Sequence, residues 1–312
     1  MDLRQLNALL AVADHGSFSA AARALQTVQS NISTHVARLE RELDTVLIDR
    51  ATGNLTEQGF VVAERSRRIR AELDGMIADV TSLNAGISGH VRLGCIGTTA
   101  RWLVPLLVPI MGTRHPMVHV VIVDATTTSL IPQLEQGSLD LAVVNLPVDD
   151  TDVVVEPLFD EDRILVVPTG HRLHKRARVR LRDLDGEPLL LEPQGTGFRD
   201  QLDEAAEAAG VTLVAQAEVD GMRLLASLAF QGYGAALLPA SAAPTWIGGD
   251  WHAIPVTGLP GRRVGLAVRR RGLLAAPGRA LREAVREVVT ESGPSQPGIH
   301  PAEAPTNGSR RT

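Results

Sequence analysis

The chain has 312 residues, of which 44% are hydrophobic and 21% charged, with a formal net charge of −5 and one cysteine. That length suits two or three domains with cores of their own and excludes fibrous and wholly disordered classes, while one cysteine excludes an internal disulfide framework. The acidic balance excludes binding to nucleic acid through a general basic field: the first sixty residues hold five arginines against seven carboxylates.

Residues 2–16 form the first predicted helix, with Asp2 as cap, Gln5 three residues on, apolar Leu3, Leu6, Leu10 and Ala13 on one stripe, and Gly16 as stop. The run 6–13 is too short to span a bilayer and leads into Asp14 and His15 with no cleavage pattern, so a cytoplasmic protein with no membrane contact is expected. Ser17 or Ser19 caps a second helix to about Leu25, and Thr27 a third to about Leu43. In this third helix Ile32, Val36, Leu39 and Leu43 recur at helical spacing and are expected inside, which turns Gln29, Ser30, Ser33 and Thr34 outward. Two short extended pieces around Thr52-Gly53-Asn54 complete a winged helix-turn-helix over 1–59.

From Val62 the chain reads as a linker helix over 60–88. Ile69, Leu73, Met76, Val80, Leu83 and Ile87 fall at alternating spacings of four and three, the seam of a coiled coil, interrupted only by Ser66. A helix of that length extends about 45 Å, too far for one small domain to cover, so a second copy is expected along it. Strand-like and helical runs then alternate through 89–291, and their two-sided apolar character predicts mainly parallel sheets. Cys95 reads as a small buried hydrophobe in the first of these strands. Residues 292–312 carry four prolines and few apolar side chains and are expected to be a disordered tail.

A row of amides and hydroxyls on an exposed helix face suits base edges better than surface ion pairs. Gln can donate and accept at adenine, short hydroxyls let a helix sit deep in a major groove, and Arg38 and Arg50 would position it on phosphates. Enzyme readings find little support. Residues 94–99, "GCIGTT", match neither the dinucleotide nor the Walker glycine pattern, no Gly-x-Ser-x-Gly elbow occurs, and the pairs His171/His174 and His115/His119 lack further ligands. Neither an enzyme, a cofactor nor a metal site is expected.

The opening fifty residues, followed by Leu55-Thr56 and Gly59, resemble the N-terminal module of the LysR-type transcriptional regulators. The resemblance rests on Gly16 to Ala22, the Gln29 and Ser33 pair, and Arg38-Leu39-Glu40, and it continues through "VRLGCIGT", "LEQGSLDLAVV", "LVVPTGHRL" and "GYGAALLP". Val28 and Ser30 depart from the Ser and Pro usual in the family, and the wing is short. The resemblance implies an α/β protein with an α-rich winged helix-turn-helix, a long linker helix and a two-lobed effector domain like a periplasmic binding protein. Lobe 1 would take about 89–162 and 266–291, and lobe 2 about 163–265. A small-molecule effector would bind between them at Thr98, Thr99 and Thr127 of one lobe and Thr196 and Phe198 of the other. Helix starts at strand ends make such a crevice receptive to anions, and Arg101 and Arg199 nearby would favour an organic acid. Double-stranded DNA, a homo-dimer or homo-tetramer and RNA polymerase are the implied partners. The competing reading is a small-molecule-binding scaffold whose helix-turn-helix contacts protein.

Overall fold

The computed structural model describes residues 1–302. Helix α1 (Leu3–His15) starts with the expected capping box: the Asp2 carboxylate accepts from the backbone of Arg4 and Gln5, and the Gln5 side chain accepts from the Asp2 amide. Gly16 ends it in the left-handed conformation, φ 71°. Helices α2 (Phe18–Ala24) and α3 (Gln29–Glu42) follow, and Leu9, Val12, Ala21, Ile32, Val36 and Leu39 lock the three together. Two expectations fail locally. Leu43 lies past the end of α3 and is exposed, and Thr27 caps nothing: α3 begins after Val28 with no side-chain cap, while the Thr27 hydroxyl accepts from Asn31.

The wing is a single antiparallel bridge between Ile48 and Leu55, a tighter object than the expected hairpin. The Thr56 hydroxyl holds it by donating to the Val46 carbonyl and accepting from the Gly59 amide. Helix α4 (Glu57–Ala85) therefore starts at the wing itself, three residues before the expected boundary. Gly59 is required there, since a Cβ would overlap the Leu47 carbonyl oxygen. Ser66, the break in the apolar seam, is buried and returns its hydroxyl to the Val62 carbonyl. Ile69, Met76, Val80 and Leu83 are exposed and Leu73 is half-buried, whereas Ile87 lies beyond the helix end and packs on the core of the first lobe.

The rest of the chain runs β1 (Gly89–Cys95), α5 (Gly97–Arg114), β2 (Val118–Asp124), α6 (Thr127–Glu135), β3 (Leu141–Asn145), β4 (Val153–Glu161), β5 (Arg163–Pro168), β6 (Val179–Arg180), β7 (Pro188–Leu191), α7 (Gly197–Ala209), β8 (Val214–Glu218), α8 (Met222–Phe230), β9 (Ala235–Pro239), β10 (Trp251–Thr257), β11 (Arg262–Arg269), α9 (Ala276–Ser292) and β12 (Ile299–Pro301). Two six-stranded sheets result, β12-β4-β11-β3-β1-β2 in lobe 1 and β6-β10-β5-β9-β7-β8 in lobe 2. Both are mixed, not mainly parallel: β11 runs antiparallel to β3 and β4, and β5 antiparallel to β9 and β10. The chain crosses between lobes at Asp162 and again at 258–261, so Arg262 to Gly265, assigned to lobe 2 from the sequence, belong to the lobe 1 sheet.

The segment after 292 is not a tail as far as it is described. Strand β12 pairs with β4, the Gly298 carbonyl accepts from Asp162, and buried Gln296 donates to the Ala240 and Ala243 carbonyls while accepting from the Thr245 amide of lobe 2. The expectation for 303–312 lies outside the described residues.

Linker and lobe 1 are joined through a helix end. Asp79 of α4 accepts from the Ala276 amide at 2.7 Å and from Arg279 at 3.1 Å, and so caps α9, whose own cap residue Ala275 has no side chain to do so. Asp79→Ala is expected to lower the stability of the full chain by about 1 kcal/mol. Gly59→Ala should lower that of the winged-helix domain by about 3 kcal/mol. Chemical denaturation followed by helix signal checks both.

Candidate functional site

On α3, Gln29, Ser30, Thr34 and Arg38 are exposed and Ser33 half-buried, so the polar row faces outward as expected. Its members differ in freedom. The Ser19 hydroxyl donates to the Gln29 amide oxygen at 3.0 Å, which orients the side chain and leaves its NH2 group available. Thr34 returns its hydroxyl proton to the Ser30 carbonyl at 2.7 Å and keeps only acceptor capacity outward. Arg50 pairs with Glu40 at 3.2 Å and lies over the Phe18 ring, with its side chain still exposed. The other Glu40 oxygen accepts from the Leu47 and Ile48 amides, so the last turns of α3 hold the wing in place.

Between the lobes, Thr98 and Thr99 sit in the first turn of α5, Thr127 opens α6, and Thr196 and Phe198 lie at the start of α7. Arg262 reaches Thr98 and Thr99 at the lobe boundary, and Phe198 lies against Arg163 beside the crossover, but the threonines also have work within the protein. Thr98 accepts from Arg262 at 2.7 Å and Thr99 at 3.4 Å, Thr127 accepts from the Asn145 amide, and Thr196 donates to the Pro193 carbonyl. Arg199 is buried and consumed by Asp203, Glu218 and the Glu192 carbonyl. Arg101 bridges the lobes through Ser227 and the Phe230 ring, and burial pushes its pKa down, with Arg223 adding to the shift. Arg223 of α8 in turn pairs with Asp124 at the end of β2.

The sequence reading missed the centre of this arrangement. Glu161 and Arg262 face each other across the β4–β11 ladder at the two interlobe crossovers. They form an ion pair whose carboxylate is wholly buried and also accepts from the Ser241 amide of lobe 2. Arg262 reaches onward to Thr98, Thr99 and the Ser241 hydroxyl, so one guanidinium ties both lobes. Arg163, 3% exposed, lies beside it, stacked 4.5 Å over the Phe198 ring. Its Nε donates to the Pro260 carbonyl and its Nη2 to Gln201, while Nη1 has no partner among the described residues. Burial first, and then Arg262, push its pKa down to about 10. Glu192, near both arginines, is pushed up by burial and by Asp220. The signal available in advance was "DEDR" at 160–163: four charges set between two apolar strand runs, where a lobe boundary was already expected.

A groove of about 940 Å³ runs along β4 and β11, past Pro147, Val155, Pro157 and Arg263; it shares Glu161 and Arg262 with the cluster but none of the five expected effector residues. Among the described residues no group of three His, Cys, Asp or Glu is placed to hold a metal, and His171 is bonded to Glu187. No helix among them is long and apolar enough to cross a membrane.

A winged helix-turn-helix on a long helix, joined to two α/β lobes, defines a DNA-binding transcriptional regulator with an effector-binding domain. The sequence patterns of the bacterial regulatory helix-turn-helix protein, lysR family, and of the LysR substrate binding domain match residues 3–60 and 84–290, and the chain belongs to the LysR family. It is 33% identical to a probable hydrogen peroxide-inducible genes activator of Streptomyces viridosporus, over 93% of this chain and 95% of that one. It is 34% identical to a protein of the same description from Mycobacterium leprae, over 91% and 93%. Among solved structures, a full-length OxyR variant from Pseudomonas aeruginosa superposes with a TM-score of 0.70 at 24% identity, covering 93% of this chain and 95% of that one. CbnR complexed with its target DNA gives 0.68 at 23%, covering 92% and 99%.

Removing one partner of a buried ion pair strands the other charge, whereas an exposed pair contributes little. Glu161→Ala is therefore expected to destabilise the effector domain by about 3–5 kcal/mol. Arg223→Ala, which breaks an exposed interlobe pair, should change stability by less than about 1 kcal/mol. Equal effects in urea unfolding would contradict the hinge assignment.

Proposed function

We propose that this regulator reads its operator with Gln29, Ser30, Ser33 and Thr34, with Arg38 on the phosphate backbone, and is switched by a small molecule held reversibly between the lobes. The observation that carries the reading is the outward polar face of α3, with Gln29 oriented by Ser19 above a wing fastened through Glu40. A buried turn of apolar residues behind that face fixes it rigidly, which base readout needs. Arg50 acts chiefly as a brace between Glu40 and Phe18. The exposed apolar row Ile69, Met76, Val80 and Leu83 supports pairing of two copies along α4, and two copies suit a two-fold related site. The protein is proposed to work in the cytoplasm, without catalysis and without a cofactor.

Several relatives are named for hydrogen peroxide, and thiolate chemistry is the natural way to sense it. In this chain the one thiol is unsuited to that reaction. Cys95 is fully buried in β1 and burial drives its pKa upward, away from the reactive thiolate. The switch proposed here is therefore noncovalent.

Salt-titrated binding to DNA from upstream of the protein's own and neighbouring genes tests the reading. Gln29→Ala with Ser33→Ala is expected to lose about 1–3 kcal/mol of sequence preference while the oligomer persists. Absence of sequence-preferring, salt-sensitive binding by the unaltered protein would favour the scaffold reading instead. Peroxide treatment, and Cys95→Ser, should both leave the DNA-binding isotherm unchanged; a peroxide response lost in Cys95→Ser would overturn the noncovalent switch.

A further inference from the structure

We infer that Ser19 fixes the hydrogen-bond polarity of Gln29, so that Gln29 works in the major groove as a donor only and reads a keto base, guanine or thymine, in preference to adenine. The inference rests on the operator-reading assignment above and gives one position of that operator its chemistry. A glutamine amide free to turn presents an oxygen and an NH2 group side by side, the pattern that matches the N6 and N7 groups of adenine. Gln29 is not free in this way. The Ser19 hydroxyl of α2 donates to its amide oxygen at 3.0 Å, which turns that oxygen toward α2 and leaves the two NH2 protons for the outside. Two donors suit the acceptors O6 and N7 of guanine, or O4 of thymine. On adenine one of them would meet the N6 amino group, donor against donor.

The hydrogen bond joins two helices that are fastened to each other independently of it. Ser17 caps α2 by accepting from the Ala20 amide at 3.2 Å, and so sets the turn that carries Ser19. Phe18, next to Ser19, lies under Arg50, and Arg50 pairs with Glu40 of α3. Ala21 and Ala22 of α2 share one core with Ile32 and Val36 of α3. Ser19 and Gln29 are nonetheless exposed, so the oriented amide stands on the surface that would meet a duplex. The hydroxyls of Ser30 and Ser33 can each turn to donate or accept; an amide whose oxygen is held from another helix cannot. Ser19 is thus a positioning residue, acting on the base through Gln29.

The full-length protein is used to select from a pool of duplexes with a randomised core, and the position at which Gln29→Ala loses preference identifies the base that Gln29 reads. Guanine or thymine is expected there, and duplexes carrying each of the four bases at that position, paired with its complement, distinguish the two. Adenine should bind the unaltered protein roughly tenfold more weakly. Ser19→Ala should lower that ratio to about twofold or less by freeing the amide to turn, and Ser19→Thr, which keeps a hydroxyl, should restore it. Gln29→Glu, an acceptor of nearly the same shape, should reverse the preference toward adenine or cytosine, and it carries the test alone if Ser19→Ala does not fold. A preference of the unaltered protein for adenine or cytosine, undiminished discrimination in Ser19→Ala, or an unreversed preference in Gln29→Glu overturns the inference. Enrichment of a sequence in which Gln29→Ala relaxes no position overturns it while keeping the regulator reading. Enrichment of no sequence by the unaltered protein sinks both.

Discussion

The ion pair between Glu161 and Arg262 is the constraint around which the effector domain is organised. A fully buried carboxylate is tolerated only when its charge and its lone pairs are met, and here a cross-strand arginine and the Ser241 amide meet them. Because Glu161 and Arg262 lie at the two points where the chain passes between lobes, satisfying the charge fixes the hinge. Arg262 then orders Thr98 and Thr99 at the start of α5, and its neighbour Arg163 orders the start of α7. The starts of one helix from each lobe are thus held at the lobe boundary by adjoining guanidinium groups.

The reading module solves a different problem, that of presenting uncharged polar groups on a chain whose N-terminal region is acidic. Glu40 and Glu42, which would otherwise repel a phosphate backbone, are turned to structural use: Glu40 fastens the wing and Arg50, and Glu42 accepts from Gln5. Hydrogen bonding to the N-terminal ammonium, and then to Gln5, holds the Glu42 carboxyl below its ordinary pKa. Contact with a duplex then depends on where the remaining groups point more than on net charge.

How far this could be seen in the amino-acid sequence followed the strength of local signals. The Asp2–Gln5 capping box, the apolar spacing Ile32, Val36, Leu39 and the long amphipathic run after Val62 are repeated local patterns, and they produced α1, α3 and α4 within a few residues. Strand β4 gives a weak local signal because Glu156 and Pro157 interrupt its apolar run, as does β10, which alternates with His252 and Pro255. Both are antiparallel partners of β11 or β5, so the runs that are plain in the sequence suggest parallel sheets. Gln296 looked like part of a polar tail because nothing near it in sequence shows that three backbone groups of lobe 2 await it. Of the site, the helix-start threonines were legible as residue types, but the Arg163 and Arg262 cluster depends on crossover geometry that no local window contains.

The cap that Asp79 supplies to α9 has a mechanical meaning. Hydrogen bonds from Ala276 and Arg279 to one carboxylate, with Ile87 seated in the lobe 1 core just beyond, weld the arm that carries the reading helices to lobe 1. Any rotation about the crossovers at 162 and 258–261 would have to break the ties of Glu161, Arg262 and Gln296 to lobe 2, and would turn lobe 2 against a frame made of lobe 1 and the arm.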